Sequence, residues 1–292
     1  MKVTFFGTGT SFGVPVINCT CKCCTSKDSR DNRFRSSIKV EGQNGTIVVV
    51  DTGPEFRLQA LKYGLPKLDA VFFTHSHADH VHGLDDVRIF AHVFEDPEKT
   101  TPPLDIYANK HTNADLKNRF DYVFKTTQIG GGKPSLNLID CEPYTVKNPI
   151  CVGNLRVVPV AMMHGNVHTT GWMFAEVLEP KTKLNYTFAY LTDCSFISDE
   201  SVELVKNCQT VVIDALREDE HPTHLNFEGS MNYIKRMNGK NFYFIHLTHD
   251  LCHCEIPASI ENLRKKLKMT DDEKQKNKKI EPSYDGLVLE NV

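Results

Sequence analysis

The sequence predicts a layered α/β fold built as one domain. Apolar segments of strand length alternate unevenly with segments of helical spacing along the 292 residues, a mixture typical of sheets covered by helices. Several predicted strands end directly on a histidine or an aspartate, which is the pattern expected when functional side chains gather at one edge of a sheet. The composition, 40% hydrophobic and 24% charged, is ordinary for a globular protein.

Apolar runs and helical spacing place the individual elements. Strands are predicted over residues 2–6, 36–40, 46–50, 70–73, 104–108, 155–163, 170–178, 185–192, 210–215, 241–246 and 286–290. Helices are predicted over residues 54–63, 83–93, 113–124, 199–208 and 227–237. The first three strands are expected to form a meander. Phe56, Leu58 and Leu61 are expected to face the core from the first helix, which ends at Gly64.

Two segments are less regular. Residues 95–149 are expected to form a lid or insertion within a single domain that spans residues 1–292. The lysine-rich segment 265–279 is expected to be a solvated helix end and linker.

Charge and hydropathy limit the partners. A net charge of -3 argues against a stable complex with nucleic acid, because proteins that hold phosphate backbones usually carry a basic surplus. No apolar stretch approaches the ~18 residues that cross a bilayer, and the first residues contain no apolar signal core. We therefore expect a cytoplasmic protein without a membrane partner. Its ten cysteines are then better explained by metal binding or burial than by disulfides. A homodimer is compatible with the sequence.

One short segment holds four potential metal ligands, His75, His77, Asp79 and His80. It directly follows the apolar run 70–73, and in an extended backbone His75 and His77 share a face. A turn after His77 would aim Asp79 and His80 into the same space. Imidazole and carboxylate suit Zn, Mn or Fe, and ligands arriving from two directions indicate two divalent ions.

The helix predicted after this segment begins with two acidic residues, Asp85 and Asp86. One of them is a candidate to accept a hydrogen bond from a ligand imidazole and so to fix its tautomer. An exposed acid at a helix N-terminus is the alternative interpretation.

A second cluster lies in the loop between the first two strands. It consists of Cys19, Cys21, Cys23 and Cys24. Four cysteines within six residues indicate a thiolate metal site, most plausibly structural zinc. The spacing is tighter than in common zinc fingers, so it leaves open which three bind, and a disulfide or redox loop is the alternative.

With these motifs, and with His164, Asp193 and His246 following in that order, the chain resembles the metallo-β-lactamase superfamily over nearly its whole length. Within this superfamily the chain resembles the phosphoribosyl 1,2-cyclic phosphodiesterase family of phosphonate metabolism. This narrower resemblance is carried by the segments 7–15, 51–55 and 284–289. The resemblance implies a four-layer αβ/βα sandwich with a dinuclear metal site between its two sheets.

The resemblance also implies a set of ligands. It places His75, His77 and His164 on one Mn²⁺ or Zn²⁺ ion and Asp79, His80 and His246 on another, with Asp193 bridging the two. His168 competes with His164, which we prefer because it stands at a strand end directly before a glycine, whereas His168 lies in the following loop. A separate structural Zn²⁺ is implied on Cys19, Cys21, Cys24 and His249. Cys23, Cys252 and Cys254 compete for those positions.

The expected activity is metal-dependent hydrolysis of a small, cyclic phosphodiester such as a phosphoribosyl 1,2-cyclic phosphate. Two neighbouring ions lower the pKa of a shared water to about 7, which supplies hydroxide at neutral pH. His224 matches the family's non-ligand histidine and is expected to protonate the leaving alkoxide. Asp79 is also expected to be a catalytic residue. His221 is the less favoured candidate for the general acid.

Three other functions fit parts of the sequence. A tRNA 3′-processing nuclease would share the ligands, but it normally requires a basic arm that is not evident here. A thioester or lactone hydrolase would direct the same nucleophile at a carbonyl carbon. A non-catalytic, metal-stabilised binding protein would have a degenerate ligand set, whereas all seven ligand positions are filled in this sequence.

Overall fold

A computed structural model describes residues 1–91, 102–125, 134–178 and 184–292 of the chain. Two mixed β-sheets pack face to face, and helices cover the outer face of each sheet. The predicted layered α/β fold, and the four-layer sandwich implied by the resemblance, are therefore confirmed.

The elements follow one another in a mixed order. In the described residues the strands are β1 (Lys2–Gly7), β2 (Ser37–Glu41), β3 (Ile47–Val50), β4 (Ala70–Phe72), β5 (Leu104–Ala108), β6 (Leu136–Asp140), β7 (Ile150–Val152), β8 (Leu155–His164), β9 (Val167–Glu176), β10 (Tyr186–Leu191), β11 (Phe196–Ile197), β12 (Thr210–Asp214), β13 (Asn241–Ile245), β14 (Lys279–Pro282) and β15 (Val288–Glu290). The α-helices are α1 (Phe56–Tyr63), α2 (Ala78–Val81), α3 (Lys110–Arg119), α4 (Asp121–Phe124), α5 (Asp199–Val205), α6 (Phe227–Arg236), α7 (Ile256–Lys266) and α8 (Glu273–Lys276). Short 3-10 helices lie at Ser29–Asp31 and Leu84–Phe90.

The strand order brings several strand ends together. The first sheet runs β15-β1-β2-β3-β4-β5-β6 and the second β11-β8-β9-β10-β12-β13-β14, with β7 beside β8. β1, β2 and β3 pair antiparallel, which confirms the predicted meander. β3 to β6 are parallel, and so are β10, β12, β13 and β14. Parallel strands end at the same edge of a sheet, where functional side chains are usually found.

Aromatic side chains fill the space between the two sheets. Trp172 on β9 is fully buried, and its ring lies 4.9 Å from that of Phe72 on β4. Phe174 on β9 packs against the same Phe72 ring at 6.1 Å. Removing one such buried ring typically costs about 3–5 kcal/mol of stability, so this layer fixes the position of the two strand edges relative to each other.

Helix α1 buries less of its surface than its sequence suggests. Phe56 is buried, but the side chains of Leu58 and Leu61 are 51% and 69% exposed, so their predicted place in the core is wrong. The buried residues of the helix are Phe56 and Gln59, and Tyr63 at its end stacks on Phe6 of β1 at 5.9 Å. It ends at Gly64 as predicted, and this glycine has a positive φ of 78°.

The segment 265–279 is only partly solvated, which corrects the prediction. Lys278 is buried, and its Nζ donates to the carbonyl oxygens of Ile234 and Met237 and to Oε1 of Gln275, each at 2.7 Å. These three acceptors satisfy the buried ammonium group. The segment therefore ties α6 to β14 and is more than a linker.

Two further predictions are refined. The predicted helix over residues 113–124 is two helices that meet at Phe120, and the predicted helix over 83–93 is a 3-10 helix as far as it is described. Of the expected lid, residues 95–101 and 126–133 lie outside the described part of the chain. The described remainder includes β5 and β6, which extend the first sheet. Among the described helices, none combines the length and the apolar character needed to cross a bilayer.

Candidate metal centre

The histidine-rich segment folds as the sequence predicts. After β4 the backbone stays extended through His77 (φ -64°, ψ 151°), and the single turn of α2 then brings Asp79 and His80 back towards it. The ring centroid of His75 lies 4.5 Å from that of His77 and 4.4 Å from that of His80. One local turn thus presents ligand-type side chains from two directions.

His164 completes one group of three imidazoles. It ends strand β8, and its ligand-type nitrogen lies within 4.8 Å of those of His75 and His77. Its Nδ1 donates to the carbonyl oxygen of Thr223 at 2.6 Å, which leaves Nε2 unprotonated. His168 lies on strand β9, not in a loop as predicted, and stacks on His111 outside this group.

Asp193 lies at the centre of the site. It follows β10, is 2% exposed, and places its carboxylate 3.0 Å from Nε2 of His80, 3.6 Å from Nε2 of His75 and 2.8 Å from Nδ1 of His246. The carboxylate of Asp79 lies 3.2 Å from the same His80 nitrogen. The structure therefore brings all seven predicted side chains into one cluster, in which His77 is exposed and the other six are buried.

The surroundings of the cluster favour neutral forms of three imidazoles and the ionised form of the Asp193 carboxylate. Burial lowers the pKa of His75, His77 and His164, so these rings are held in the form that binds metal. Burial opposes ionisation of Asp193, but His246 and His80 outweigh it and hold the pKa of its carboxyl well below the ordinary value.

Asp51 supports His80 from behind. It follows β3, and its Oδ2 lies 2.7 Å from Nδ1 of His80 while its carboxylate also accepts from the N–H and hydroxyl of Thr74 at 2.9 Å. This contact directs Nε2 of His80 into the site. The sequence predicted that Asp85 or Asp86 would orient a ligand imidazole in this way. Asp85 is instead exposed and bonded to Arg88 and Tyr122. One sequence feature could have identified Asp51, namely its position directly after a predicted strand.

Three of the strand-end residues hold an uncommon backbone conformation. Asp51, Asp193 and His246 have φ values of 62°, 53° and 63°, in the left-handed region that few non-glycine residues adopt. Asp51 and His246 directly follow β3 and β13, and Asp193 lies two residues after the end of β10. Such backbone strain clusters at functional sites.

One buried nitrogen atom in this cluster lacks a hydrogen-bond partner. It is Nε2 of His75, which is fully buried. A buried imidazole nitrogen without a partner costs stability unless something else satisfies it. A divalent cation would do so, and the surrounding imidazole and carboxylate groups are a fitting donor set for Zn²⁺ or Mn²⁺.

His224 lies against this cluster and is held by an acid. Its Nδ1 lies 2.9 Å from Oδ2 of Asp214, and its ring is 4.4 Å from His164 and 4.8 Å from His246. Burial lowers the pKa of His224, but Asp214 outweighs burial and raises it to about 9. The ring centroid of His221 lies 5.2 Å from that of His224. Asp214, at the end of β12, is a functional candidate to which sequence reasoning gave no role.

A second cluster contains the predicted cysteines. Nδ1 of His249 lies 3.4 Å from Sγ of Cys19, 3.3 Å from Sγ of Cys21 and 3.5 Å from Sγ of Cys24. The backbone N–H of Cys24 and the His249 side chain lower the pKa of Cys21 to about 6, which favours its thiolate. Three sulfurs and one imidazole nitrogen are a common donor set for structural zinc.

The competing cysteines lie elsewhere. Cys23 and Cys252 are buried in a separate group with Asp31, where Arg33 Nη1 approaches the Cys23 sulfur at 3.8 Å. Burial raises the pKa of Cys23 to about 12, which keeps it a thiol. Cys254 is exposed. None of the three joins the group around His249.

Comparisons with known proteins agree with this architecture. The model of a family described as beta-lactamase superfamily domain matches residues 46–247, a range that includes all seven clustered side chains. The crystal structure of a new diphosphatase from the PhnP family is 34% identical with a TM-score of 0.78, covering 99% of this chain and 96% of that chain. The Zn²⁺-bound PqqB of Methylobacterium extorquens shares the fold at 18% identity and a TM-score of 0.68, covering 99% and 100%.

One curated relative is much longer than this chain. The octanoyltransferase of Porphyromonas gingivalis is 34% identical over 250 residues, which are 85% of this chain and 46% of that protein. The chain therefore spans about half the length of that relative.

The contact between Asp51 and His80 generates a prediction. Asp51→Asn keeps the side-chain shape but removes the charge that orients His80, so Zn²⁺ affinity at the histidine cluster should fall about 10- to 100-fold. Competition with a chromophoric chelator measures this. Asp85→Asn is the matched control and should leave the affinity unchanged. Equal affinities in both variants would contradict the role of Asp51.

Proposed function

Because this chain belongs to the metallo-β-lactamase superfamily and is a metal-dependent hydrolase of that fold, we propose that it hydrolyses a small cyclic phosphodiester, such as a phosphoribosyl 1,2-cyclic phosphate. The observation that carries the proposal is the cluster of seven imidazole and carboxylate side chains beside the His224–Asp214 pair. The 34% identity to a PhnP-family diphosphatase supports a phosphorus centre over a carbonyl carbon.

We assign the seven side chains to two divalent ions. His75, His77 and His164 would hold one ion, Asp79, His80 and His246 the other, and Asp193 would contact both. When bound, the ions supply Lewis acidity that activates water and offsets charge on the phosphoryl oxygens. The unpartnered Nε2 atom of His75 supports this assignment.

His224 is assigned to protonate the leaving alkoxide. Asp214 binds Nδ1 of His224, so Nε2 is the atom that donates the proton. The pKa of about 9 keeps the imidazole protonated at neutral pH, and two cations in the site would lower it towards the working range. Asp214 acts through His224 and is a positioning residue.

Asp79 is assigned a second role beside metal binding. Burial opposes its ionisation, but His80 outweighs burial and keeps the pKa of the Asp79 carboxyl low. A carboxylate with a low pKa accepts a hydrogen bond from the attacking water without keeping its proton. Asp79 would therefore orient the nucleophile.

We assign the cysteine cluster to one structural Zn²⁺. Its ligands would be Cys19, Cys21, Cys24 and His249, which already lie within 4.8 Å of one another. His249 follows His246 by three residues, so one loop would serve both the zinc and the catalytic ions. Zinc at this position would hold that loop against the N-terminal strands.

The first prediction concerns substrate class. Protein loaded with Mn²⁺ or Zn²⁺ should hydrolyse phosphoribosyl 1,2-cyclic phosphate with a higher kcat/KM than bis(p-nitrophenyl) phosphate, an acyl thioester or a lactone. A precursor tRNA should be cleaved poorly, because the net charge of -3 gives little attraction to phosphate backbones. Initial rates over a substrate panel measure this. A clear preference for tRNA, the thioester or the lactone would refute the proposal.

The second prediction concerns the acid. His224→Ala should lower kcat about 10²- to 10⁴-fold, the usual contribution of a general acid, while elemental analysis still finds both catalytic ions. His221→Ala is the control and should have little effect. His224 also lies close enough to His164 and Asp193 to be a ligand, so loss of an ion in the variant would identify it as one. Full activity would remove His224 from the mechanism.

The third prediction concerns the structural zinc. Cys24→Ser should lose one Zn²⁺ per chain and lower the melting temperature, because a ligand of the folded loop is removed. Cys23→Ser is the matched control one residue away and should keep the full zinc content. The reverse result would assign Cys23 to the zinc in place of Cys24.

A further inference from the structure

A cleft of about 450 Å³ lies beside the histidine cluster, between the start of α3 and the β8–β9 hairpin. Its floor is tied to the strand end that carries His75. The N–H of Thr170 donates to the carbonyl oxygen of Thr74 at 2.9 Å, and Asn109 Nδ2 donates to Thr170 Oγ1 at 3.1 Å. The cleft is therefore next to the site, and the assigned reaction uses none of its lining residues.

Three side chains with basic nitrogen atoms line this cleft from two elements. Lys110 and His111 come from the first turn of α3, and His168 comes from β9. The rings of His111 and His168 stand nearly parallel, at 11°, with centroids 5.5 Å apart. All three side chains are exposed and offer N–H groups to a ligand in the cleft.

Among the lining residues Glu142 is the acid. Its Oε1 accepts from the backbone N–H of Lys110 at 2.8 Å, so part of its charge is already used to cap α3. Tyr144, Pro159 and Met162 line the cleft as well and offer apolar surface to a sugar ring. The cleft thus combines a rim of N–H donors with an apolar wall.

We propose that this cleft binds a second phosphoryl group of the substrate, the one that is not cleaved, through Lys110, His111 and His168. The inference rests on the proposed phosphodiesterase function and extends it to the recognition of the substrate. A terminal phosphoryl group carries up to two negative charges and three acceptor oxygens, which match an ammonium group and two imidazole N–H donors. A carboxylate carries only one negative charge and two acceptor oxygens, so it matches this set of donors less fully.

The test uses two cyclic diesters that differ by one group. These are ribosyl 1,2-cyclic phosphate and its 5-phosphorylated form, and the readout is the ratio of their kcat/KM values in metal-loaded protein. The wild type should prefer the phosphorylated diester at least about tenfold, as expected for charge-assisted hydrogen bonds. Lys110→Ala and His168→Gln should each lose most of that preference and keep the rate on ribosyl 1,2-cyclic phosphate.

Two control variants sharpen the result. Lys117→Ala removes the same charge from the same helix outside the cleft and should keep the wild-type ratio. Glu142→Gln retains a hydrogen-bond acceptor for α3 but removes the opposing charge, so it should raise the preference. Equal kcat/KM for the two diesters in the wild type, or a Lys110→Ala ratio equal to that of the wild type, would overturn the proposal and leave the phosphodiesterase function standing. Failure to hydrolyse either diester would overturn both.

Discussion

The buried carboxylate of Asp193 is the interaction on which the site depends. It lies between His75 and His80, which follow the first sheet, and His246, which follows the second. An ionised group that is 2% exposed is costly unless positive charge or hydrogen-bond donors surround it. The two sheets must therefore keep their relative position, so that these side chains continue to surround the charged carboxylate. The aromatic layer between the sheets holds that position. Two divalent ions would complete the compensation.

The loop after β13 connects this centre to the cysteine cluster. His246 and His249 are three residues apart, and between them the N–H of Leu247 donates to the carbonyl oxygen of Thr8 at 3.0 Å. The cysteine loop reaches the same place from the N-terminal half of the chain through its contacts with His249. A shift of either cluster would move the other, because a single short loop carries residues of both.

How well the sequence predicted each part depended on how local the determining contacts are. His75, His77, Asp79 and His80 were found together because one strand end and one turn arrange them. The partner of His80 was not found, because Asp51 comes from a different strand and only the parallel pairing of β3 with β4 places it there. The acid Asp214 behind His224 was missed for the same reason. Burial was predicted least well. Leucines of α1 proved exposed, and a lysine near the C-terminus proved buried, because packing of neighbouring elements decides both.

Anomalous X-ray scattering at the zinc absorption edge, from crystals grown with Zn²⁺, tests the central claim most directly. The account predicts two neighbouring peaks on either side of Asp193, one facing His164 and the other facing His246, and a third peak among the cysteines and His249. Absence of any peak between the histidine-rich turn and Asp193, with the cysteine peak present as an internal standard, would contradict it.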